Sequence, residues 1–227
     1  MKLPAITLLL ALPVLSGCAD DTDATAPIDA TVTITATGCR NTLGQGIGTV
    51  IDTGLVLTAA HTLTGADEIT VAHDEASTTG TIVAYDTEMD LALIAIDADV
   101  TTGATIALST QPPTTDIAVD LTGTAVVTRD ERLITVPVTI ARRVIIDTED
   151  VYGEGRTTRP GYELVADIKP GDSGALVVVD GEGIAVVWSR SRRTDDRAWA
   201  IDPVRGGDTI RDHLANGIDP GIDLERC

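Results

Sequence analysis

A serine between glycines is the first feature of this chain that could do chemistry. Ser173 lies in Gly171-Asp172-Ser173-Gly174, directly before the apolar run Ala175 to Val179. A serine on a sharp turn holds its hydroxyl clear of the backbone, and nearby N–H groups can point at a developing oxyanion. Because Gly, Asp and Ser also form ordinary turns, the tetrapeptide alone is a weak signal. A nucleophile also needs a base and a group that orients the base.

Two earlier segments supply candidates for both groups. Thr58-Ala59-Ala60-His61 puts a histidine after the apolar strand Gly54 to Leu57, and Asp90-Leu91-Ala92-Leu93 puts an aspartate at the head of another. In acyl transfer, His61 would take the hydroxyl proton of Ser173, and Asp90 would stabilise the imidazolium. Taken separately, each residue could have a purely structural role. His61 could be a structural histidine, Asp90 could cap a turn, and Ser173 could be an ordinary turn residue. Jointly, their contexts and order favour catalysis.

The order His, Asp, Ser and the motifs TAAH, DLAL and GDSG resemble the trypsin-like (chymotrypsin-fold) serine peptidases, over roughly residues 30–215. The resemblance implies an all-β fold of two six-stranded antiparallel β-barrels with a short C-terminal helix. It implies a serine endopeptidase that acts on proteins or peptides without a cofactor. The backbone N–H groups of Gly171 and Ser173 would form the oxyanion hole. Neither the Cys nor the His spacing suggests a zinc site.

Substrate preference is also inferred from the resemblance. In trypsin relatives the base of the S1 pocket lies six residues before the nucleophile, which here is Asp167. A carboxylate there would select Arg or Lys at P1 by charge pairing. The alternative is that Asp167 faces solvent, or pairs with Lys169 or a nearby Arg.

The pocket wall should come from Val187-Trp188-Ser189, the counterpart of the family's Ser-Trp-Gly. Val187 replaces a serine that supports the catalytic aspartate, and Ser189 replaces a glycine that leaves room for a long P1 side chain. These departures keep two alternatives open. One is an inactive trypsin-like domain used for binding, and the other is an acyl hydrolase that acts on esters.

Activation should differ from that of the digestive enzymes. Those enzymes need a freed N-terminus to pair with the aspartate before the nucleophile, here Asp172. This chain has no convincing Ile-Val-Gly-Gly type start. We therefore predict no zymogen cleavage, with Asp172 held by another group.

Many short strands separated by turn residues should position these groups, as in a barrel or sandwich. The predicted strands are 30–35, 44–51, 54–57, 69–72, 80–85, 91–96, 118–127, 133–146, 163–167, 175–179 and 183–188. Asp208 to Leu214 should be helical, stopped by Asn216-Gly217. Residues 148–161, rich in Gly, Arg and charge, are expected to form an exposed loop. His73 and His213 lack catalytic context and are expected at the surface.

The domain organisation follows from these strands. Residues 30–111 form a predicted N-terminal barrel that carries His61 and Asp90. Residues 112–117, which begin with Pro112-Pro113, form a linker, because prolines end strands and stiffen connections. Residues 118–227 form a C-terminal barrel with Ser173 and the final helix.

The first residues have the pattern of a targeting segment. Lys2 precedes the apolar run Leu3 to Leu15, which is shorter than the roughly 20 residues of a membrane-spanning helix. Leu15-Ser16-Gly17-Cys18 resembles a bacterial lipoprotein box, so residues 1–18 are predicted as a lipoprotein signal with Cys18 lipidated. The alternative is an ordinary secretory signal. Residues 19–29 would be a flexible acidic tether. We predict an exported protein, lipid-anchored to a bacterial membrane.

The composition of the chain limits the classes of partner that it could bind. The formal charge of −19 argues against nucleic acid or an anionic surface as a partner, since phosphate contacts need clustered Lys and Arg. Apolar residues make up 43% of the chain, enough for a core, although Phe is absent. Cys39 and Cys227 are an even pair in an exported chain, which favours a disulfide over two free thiols. We expect a monomer.

Overall fold

The computed structural model describes residues 26–38, 43–97, 100–101, 103–111 and 121–216. In this part of the chain, thirteen strands form two antiparallel sheets. The first sheet contains β1 (Thr31–Gly38), β2 (Leu43–Asp52), β3 (Leu55–Thr58), β4 (Ala66–His73), β5 (Ala76–Thr79), β6 (Thr81–Asp86) and β7 (Leu91–Ala95). The second contains β8 (Leu121–Arg129), β9 (Arg132–Glu149), β10 (Arg156–Val165), β11 (Leu176–Val179), β12 (Glu182–Arg190) and β13 (Arg197–Ile201).

The helices are short. They are α1 (Ala26–Asp29), a 3-10 helix (Ala60–Leu63), α2 (Pro203–Gly206) and α3 (Asp208–Asn216). None of the helices in the described ranges has the length and hydrophobicity to cross a membrane.

The first sheet curls until its two ends meet. Its strand order is β5-β4-β1-β2-β3-β7-β6, so the outermost strands are β5 and β6, which only Gly80 separates along the chain. The Gly80 N–H donates to the carbonyl oxygen of Ile69 in β4 over 2.8 Å. A Cβ on Gly80 would lie 2.5 Å from the side chain of Ile94, so a larger residue at this bend would require Ile94 to shift. β5 and β6 therefore act as one bent strand that joins both edges.

The second sheet is a closed six-stranded barrel, with the order β10-β13-β12-β11-β8-β9. Alternate residues of its strands fill the interior, as the period of two in a strand requires. Completely buried side chains in this core include those of Val127, Ile140, Leu164 and Val177. Closure leaves this sheet without a free edge.

A third apolar cluster joins the two sheets. Leu57, Leu91 and Leu93 of the first sheet pack with Leu176 and Val186 of the second. The buried Ile210 of α3 belongs to the same cluster. This shared core fixes the position of one sheet against the other. It therefore also fixes the relative positions of side chains at the strand ends that face each other.

The predicted class, an all-β fold of two antiparallel sheets with a C-terminal helix, is confirmed. The C-terminal barrel has the six strands that the family resemblance implies, although only five of them are among the predicted strand segments. In the first sheet the predicted strand 80–85 is preceded by a separate short strand, β5, so that seven strands are distinguished. Strand β13 was not predicted from the sequence.

Residues 148–161 were expected to form an exposed loop, and the structure corrects this. β9 continues to Glu149, and β10 already begins at Arg156. The prediction of a loop assumed that the charged residues of this segment are solvated, whereas Arg159 within β10 is buried.

Several predictions fall outside the described residues. These are the leader 1–18, the linker 112–117 and the three cysteines Cys18, Cys39 and Cys227. The last four residues of the expected flexible tether 19–29 form α1, whose Pro27 carbonyl accepts a bond from Thr31 Oγ1.

Candidate active site

His61 is presented by the 3-10 helix that follows β3. Ala60 and Leu63 of this helix are buried, which fixes the turn, while the His61 side chain stays 35% exposed. The backbone N–H of His61 donates to Oδ1 of Asp90 over 2.7 Å. The imidazole is therefore held on a rigid element with one edge open to solvent.

Asp90 lies at the turn that opens β7, in a left-handed conformation with φ of 59°. Asp tolerates this conformation better than most residues. Its side chain is only 3% exposed, and its Oδ2 atom is 2.9 Å from Nδ1 of His61. Because a carboxylate only accepts, Nδ1 carries the proton and Nε2 is left as the basic nitrogen.

Trp188 and Arg159 complete the surroundings of the Asp90 carboxylate. The indole Nε1–H of Trp188 donates to Asp90 Oδ2 over 2.8 Å. Nη1 of Arg159 lies 3.6 Å from the same oxygen, and the guanidinium stacks 5.1 Å from the centroid of the Trp188 ring. Sequence reasoning placed Trp188 in the pocket wall but missed its bond to Asp90, and it missed Arg159 altogether.

The buried guanidinium of Arg159 is held by the backbone as well. The side chain is 1% exposed, Nε donates to the Glu88 carbonyl over 2.6 Å, and Nη2 donates to the Glu149 carbonyl over 3.0 Å. Burial of a charge is costly unless it is paired and hydrogen-bonded, and these contacts meet both conditions.

Electrostatics keep Asp90 ionised. Burial is the largest single influence and would raise the pKa of Asp90, but the hydrogen bonds from the His61 side chain and backbone, taken together with nearby positive charge, outweigh burial. The nearby charges are those of His61 and Arg159, and the pKa of Asp90 is lowered below its ordinary value. Asp90 is thus a carboxylate throughout the neutral pH range.

The turn that carries Ser173 contacts the first sheet directly. The Ser173 carbonyl accepts a hydrogen bond from Ile47 N–H of β2 over 2.8 Å. At Gly174, where φ is 91°, a Cβ would lie 2.0 Å from the Ile47 oxygen and 2.4 Å from Thr58 Oγ1. Only glycine allows this approach, which brings Ser173 beside the strand end that leads into His61.

The backbone of this turn leaves two donors available. The N–H groups of Asp172 and Gly174 are used, by the carbonyls of Lys169 and Val187 respectively. Within the described ranges, no acceptor is recorded for the N–H groups of Gly171 and Ser173. Gly171 has φ of 96°, and this conformation suits a turn that points backbone donors at a ligand.

Asp172 is buried beneath the turn. Arg129 Nη1 contacts its Oδ1 at 2.8 Å, and the Lys169 N–H donates to its Oδ2 over 2.7 Å. The prediction that a group other than the N-terminus holds Asp172 is therefore confirmed, and the group is Arg129.

A cavity of about 250 Å³ opens beside Ser173. Its lining residues are Ile168, Lys169, Pro170, Ser173, Val187, Trp188, Ser189, Arg190 and Arg192. The three residues predicted for the pocket wall, Val187, Trp188 and Ser189, all belong to this lining.

Asp167 does not line the cavity, and its interpretation as the pocket base is corrected. Its side chain is 63% exposed and lies 3.2 Å from Lys169 Nζ. Arg129 holds the Asp167 carbonyl over 2.6 Å, which fixes the backbone while the carboxylate faces solvent. The prediction of Arg or Lys at P1 therefore loses its structural basis.

His73 was expected at the surface, but its side chain is 6% exposed. Its Nδ1–H donates to the Thr31 carbonyl over 2.7 Å, so it ties β4 to the start of β1. Across the described residues, no group of three or more His, Cys, Asp or Glu side chains is arranged to hold a metal ion.

Two antiparallel β-sheets, with a His–Asp pair on one and a Gly-Asp-Ser-Gly turn on the other, define the class of chymotrypsin-like proteins. The sequence profile described as the trypsin-like peptidase domain matches residues 46–186, more than half of the chain. The chain belongs to this family. The match includes His61, Asp90 and Ser173.

Individual relatives agree with this assignment. The serine protease Rv3671c of Mycobacterium tuberculosis is 28% identical over 171 residues, which are 73% of this chain and 41% of that protein. The chain therefore spans less than half of that relative's length.

Solved structures share the fold. The active form of the Rv3671c protease superimposes with a TM-score of 0.77 at 20% identity, over 99% of both chains. The HtrA-type protease AlgW, solved with a tripeptide, gives a TM-score of 0.68 at 20% identity over 86% of this chain and 63% of that one.

Proposed function

We propose that this protein is a serine endopeptidase in which Ser173, His61 and Asp90 form the catalytic triad. The observation that carries the proposal is the 2.9 Å contact between His61 Nδ1 and Asp90 Oδ2, opposite a Ser173 turn packed against the strand that leads to His61. The contact leaves Nε2 of His61 as the basic nitrogen, and in the proposed triad this atom would face Ser173. Serine attack on acyl groups needs a base oriented in this way.

The reaction would proceed by acyl transfer. Ser173 Oγ attacks the peptide carbonyl carbon while His61 Nε2 takes the hydroxyl proton, and a tetrahedral oxyanion forms. The C–N bond then breaks as His61 returns the proton to the leaving amine, which leaves an acyl-enzyme on Ser173. Water, activated by His61, attacks the ester and releases the carboxylic acid.

The N–H groups of Gly171 and Ser173 would bind the oxyanion, since neither has a recorded acceptor in the described residues. Each such donor is commonly worth about 3 kcal/mol in the transition state. Arg129 supports this role indirectly, because its ion pair with Asp172 fixes the residue between the two donors.

The replacement of a serine by Val187 raised the alternative of an inactive binding domain. The bond from Trp188 Nε1 to Asp90 supports activity instead, because it supplies a donor to the carboxylate from the neighbouring residue. No contact described here favours ester over peptide substrates, so the ester hydrolase alternative is left to substrate profiling.

The location proposed for this activity rests on the sequence. Residues 1–18 would act as a lipoprotein signal, Cys18 would be lipidated, and Cys39 and Cys227 would form a disulfide in a monomeric, exported domain that binds no cofactor. Membrane fractionation of the full chain beside Cys18→Ala tests the anchor. Release of the variant, but not of the parent, into the soluble fraction is expected.

Labelling with a fluorophosphonate probe tests the triad. The matched proteins are residues 19–227 and the variants Ser173→Ala and His61→Ala. We expect labelling at Ser173 in the parent and in neither variant. A folded parent that takes no label would overturn the proposed activity.

A further inference from the structure

The cavity beside Ser173 is lined by cations. Lys169, Arg190 and Arg192 all contribute to its wall, and no acidic residue does. This is unusual in a chain with 35 acidic and 16 basic side chains. Lys169 is paired with Asp167, whereas no carboxylate is recorded within salt-bridge distance of Arg190 or Arg192 among the described residues. Two arginines without a carboxylate partner among the described residues therefore line the cavity that opens beside the nucleophile.

The backbone around these arginines is well defined. Arg190 ends β12, two residues after Trp188, and its Nη1 donates to the Ser191 carbonyl over 3.2 Å. The Ser191 N–H donates to the Arg197 carbonyl over 2.7 Å, and Ser191 Oγ accepts from the N–H of Thr194 over 3.1 Å. The turn from β12 to β13 thus holds the arginines at the mouth of the cavity.

The rest of the lining limits what can enter. Ile168 and Val187 provide apolar walls, and Ser189 adds a hydroxyl donor where the family has a glycine. A side chain bound here would place its methylene groups against the apolar walls and its end group among the cations. Carboxylates are the side-chain groups that match guanidinium donors in charge and geometry.

We propose that this cavity is the P1 pocket and selects glutamate or aspartate, so that the peptidase cleaves after acidic residues. The inference rests on the proposed function, since P1 has meaning only if Ser173 is the nucleophile. Arg190, Arg192 and Lys169 are the specificity-determining residues, with Ser189 as an additional donor. A basic P1 side chain meets like charges in this pocket and is disfavoured.

The test uses peptides that differ only at P1, with glutamate, aspartate, glutamine, alanine, leucine or arginine. Glutamine has the shape of glutamate without its charge, so the ratio of the two kcat/KM values isolates the charge. We expect glutamate to exceed glutamine at least tenfold at low salt, with a smaller ratio at high salt because the arginines are accessible to solvent. The ratio should also fall as the pH approaches about 4.3, the ordinary pKa of the glutamate side chain.

Single substitutions test which arginines determine the preference for glutamate at P1. Arg190→Gln and Arg192→Gln should each reduce the glutamate-to-glutamine ratio about fivefold to tenfold, and the double variant should abolish the preference. Arg193→Gln is the matched control, because it removes the same charge from the same exposed turn at a residue outside the cavity lining. The control should keep the parent ratio.

Fluorophosphonate labelling separates the two proposals. A labelled enzyme that cleaves glutamine and glutamate peptides equally, or prefers arginine, overturns the proposed selection of acidic P1 residues and leaves the endopeptidase proposal standing. If the parent takes no label, calorimetric titration of Ser173→Ala with the same two peptides still tests the pocket. Tighter binding of the glutamate peptide supports the proposed selection of acidic P1 residues, and equal binding overturns it.

Discussion

The indole N–H of Trp188 donates a 2.8 Å hydrogen bond to Oδ2 of Asp90, across 98 positions of sequence. The same oxygen accepts from Nδ1 of His61 and faces the guanidinium of Arg159. The family's usual serine donor is missing because Val187 occupies its place, and the next residue supplies the donor instead. The orientation of His61 thus depends on a residue from the opposite sheet.

Trp188→Phe removes this donor and keeps an aromatic ring beside Arg159. We expect kcat/KM to fall about tenfold or more, since a hydrogen bond to a charged group contributes about 1.5–3 kcal/mol. Steady-state peptide hydrolysis measures the effect. Trp199→Phe is the control, because the Trp199 ring stacks on Arg197 and has no recorded contact with Asp90. Equal losses in both variants would contradict a specific role for the indole N–H.

Arg159→Met leaves the buried Asp90 carboxylate without its nearby cation and frees two backbone carbonyls. We expect the free energy of unfolding to fall by about 3 kcal/mol, which is typical when one partner of a buried ion pair is removed. Urea denaturation measures it. Arg156→Met, three residues away in the same strand, removes a 72% exposed arginine that pairs with Asp147 and should change stability by less than about 1 kcal/mol.

Arg129→Met removes the ion pair that holds Asp172 beneath the Ser173 turn. We expect the turn to lose its fixed geometry and the rate of fluorophosphonate labelling to fall at least tenfold, because oxyanion donors must be preorganised. Arg142→Met is a control from the same barrel, since Arg142 pairs with Glu163 at the surface. Unchanged labelling of Arg129→Met would mean that Lys169 N–H alone is sufficient to hold Asp172.

Gly174→Ala should disrupt the contact between the two sheets. The added Cβ would clash with the Ile47 oxygen and Thr58 Oγ1, and φ is positive. We expect a loss of about 3 kcal/mol or more in thermal unfolding experiments, from overpacking and backbone strain together. Gly181→Ala isolates the strain, because φ there is 82° and nothing lies within 4 Å of the new Cβ. Its cost should be about 1 kcal/mol, and a similar cost at Gly174 would contradict the close approach.

The lowered pKa of Asp90 links stability to pH. The unfolded chain binds a proton at Asp90 near pH 3.9, whereas the folded chain does so only at lower pH. The ionised Asp90 side chain therefore contributes fully to the free energy of unfolding above pH 3.9. This contribution is lost as the pH falls through the folded value. The stability difference between the parent and Asp90→Asn should therefore shrink between pH 5 and pH 3 in urea titrations. A difference that stays constant over this range would contradict the lowered pKa.

Local sequence was sufficient to predict most of the strands and the three candidate catalytic residues. Short apolar runs between turn residues predicted most strands of both sheets, and the order of His61, Asp90 and Ser173 with their neighbours indicated the family. These signals are local, because the flanking residues that shape a strand end or a glycine turn lie within a few positions of the functional side chain. Because these motifs are local, they indicate the family even when the tertiary contacts of the chain are unknown.

The partners of those residues were decided by tertiary structure. Arg159 lies in a stretch whose composition predicts a loop, and only the register of β9 against β10 buries it beside Asp90. The outward direction of Asp167 depends on the contacts of Lys169 and Arg129, and these could not be inferred from its position six residues before Ser173. Spacing along the chain gives the order of side chains, but the packing of two sheets determines which charges face each other. The cationic pocket also depends on tertiary structure, because folding of the second barrel brings together two separate stretches, Ile168 to Ser173 and Val187 to Arg192.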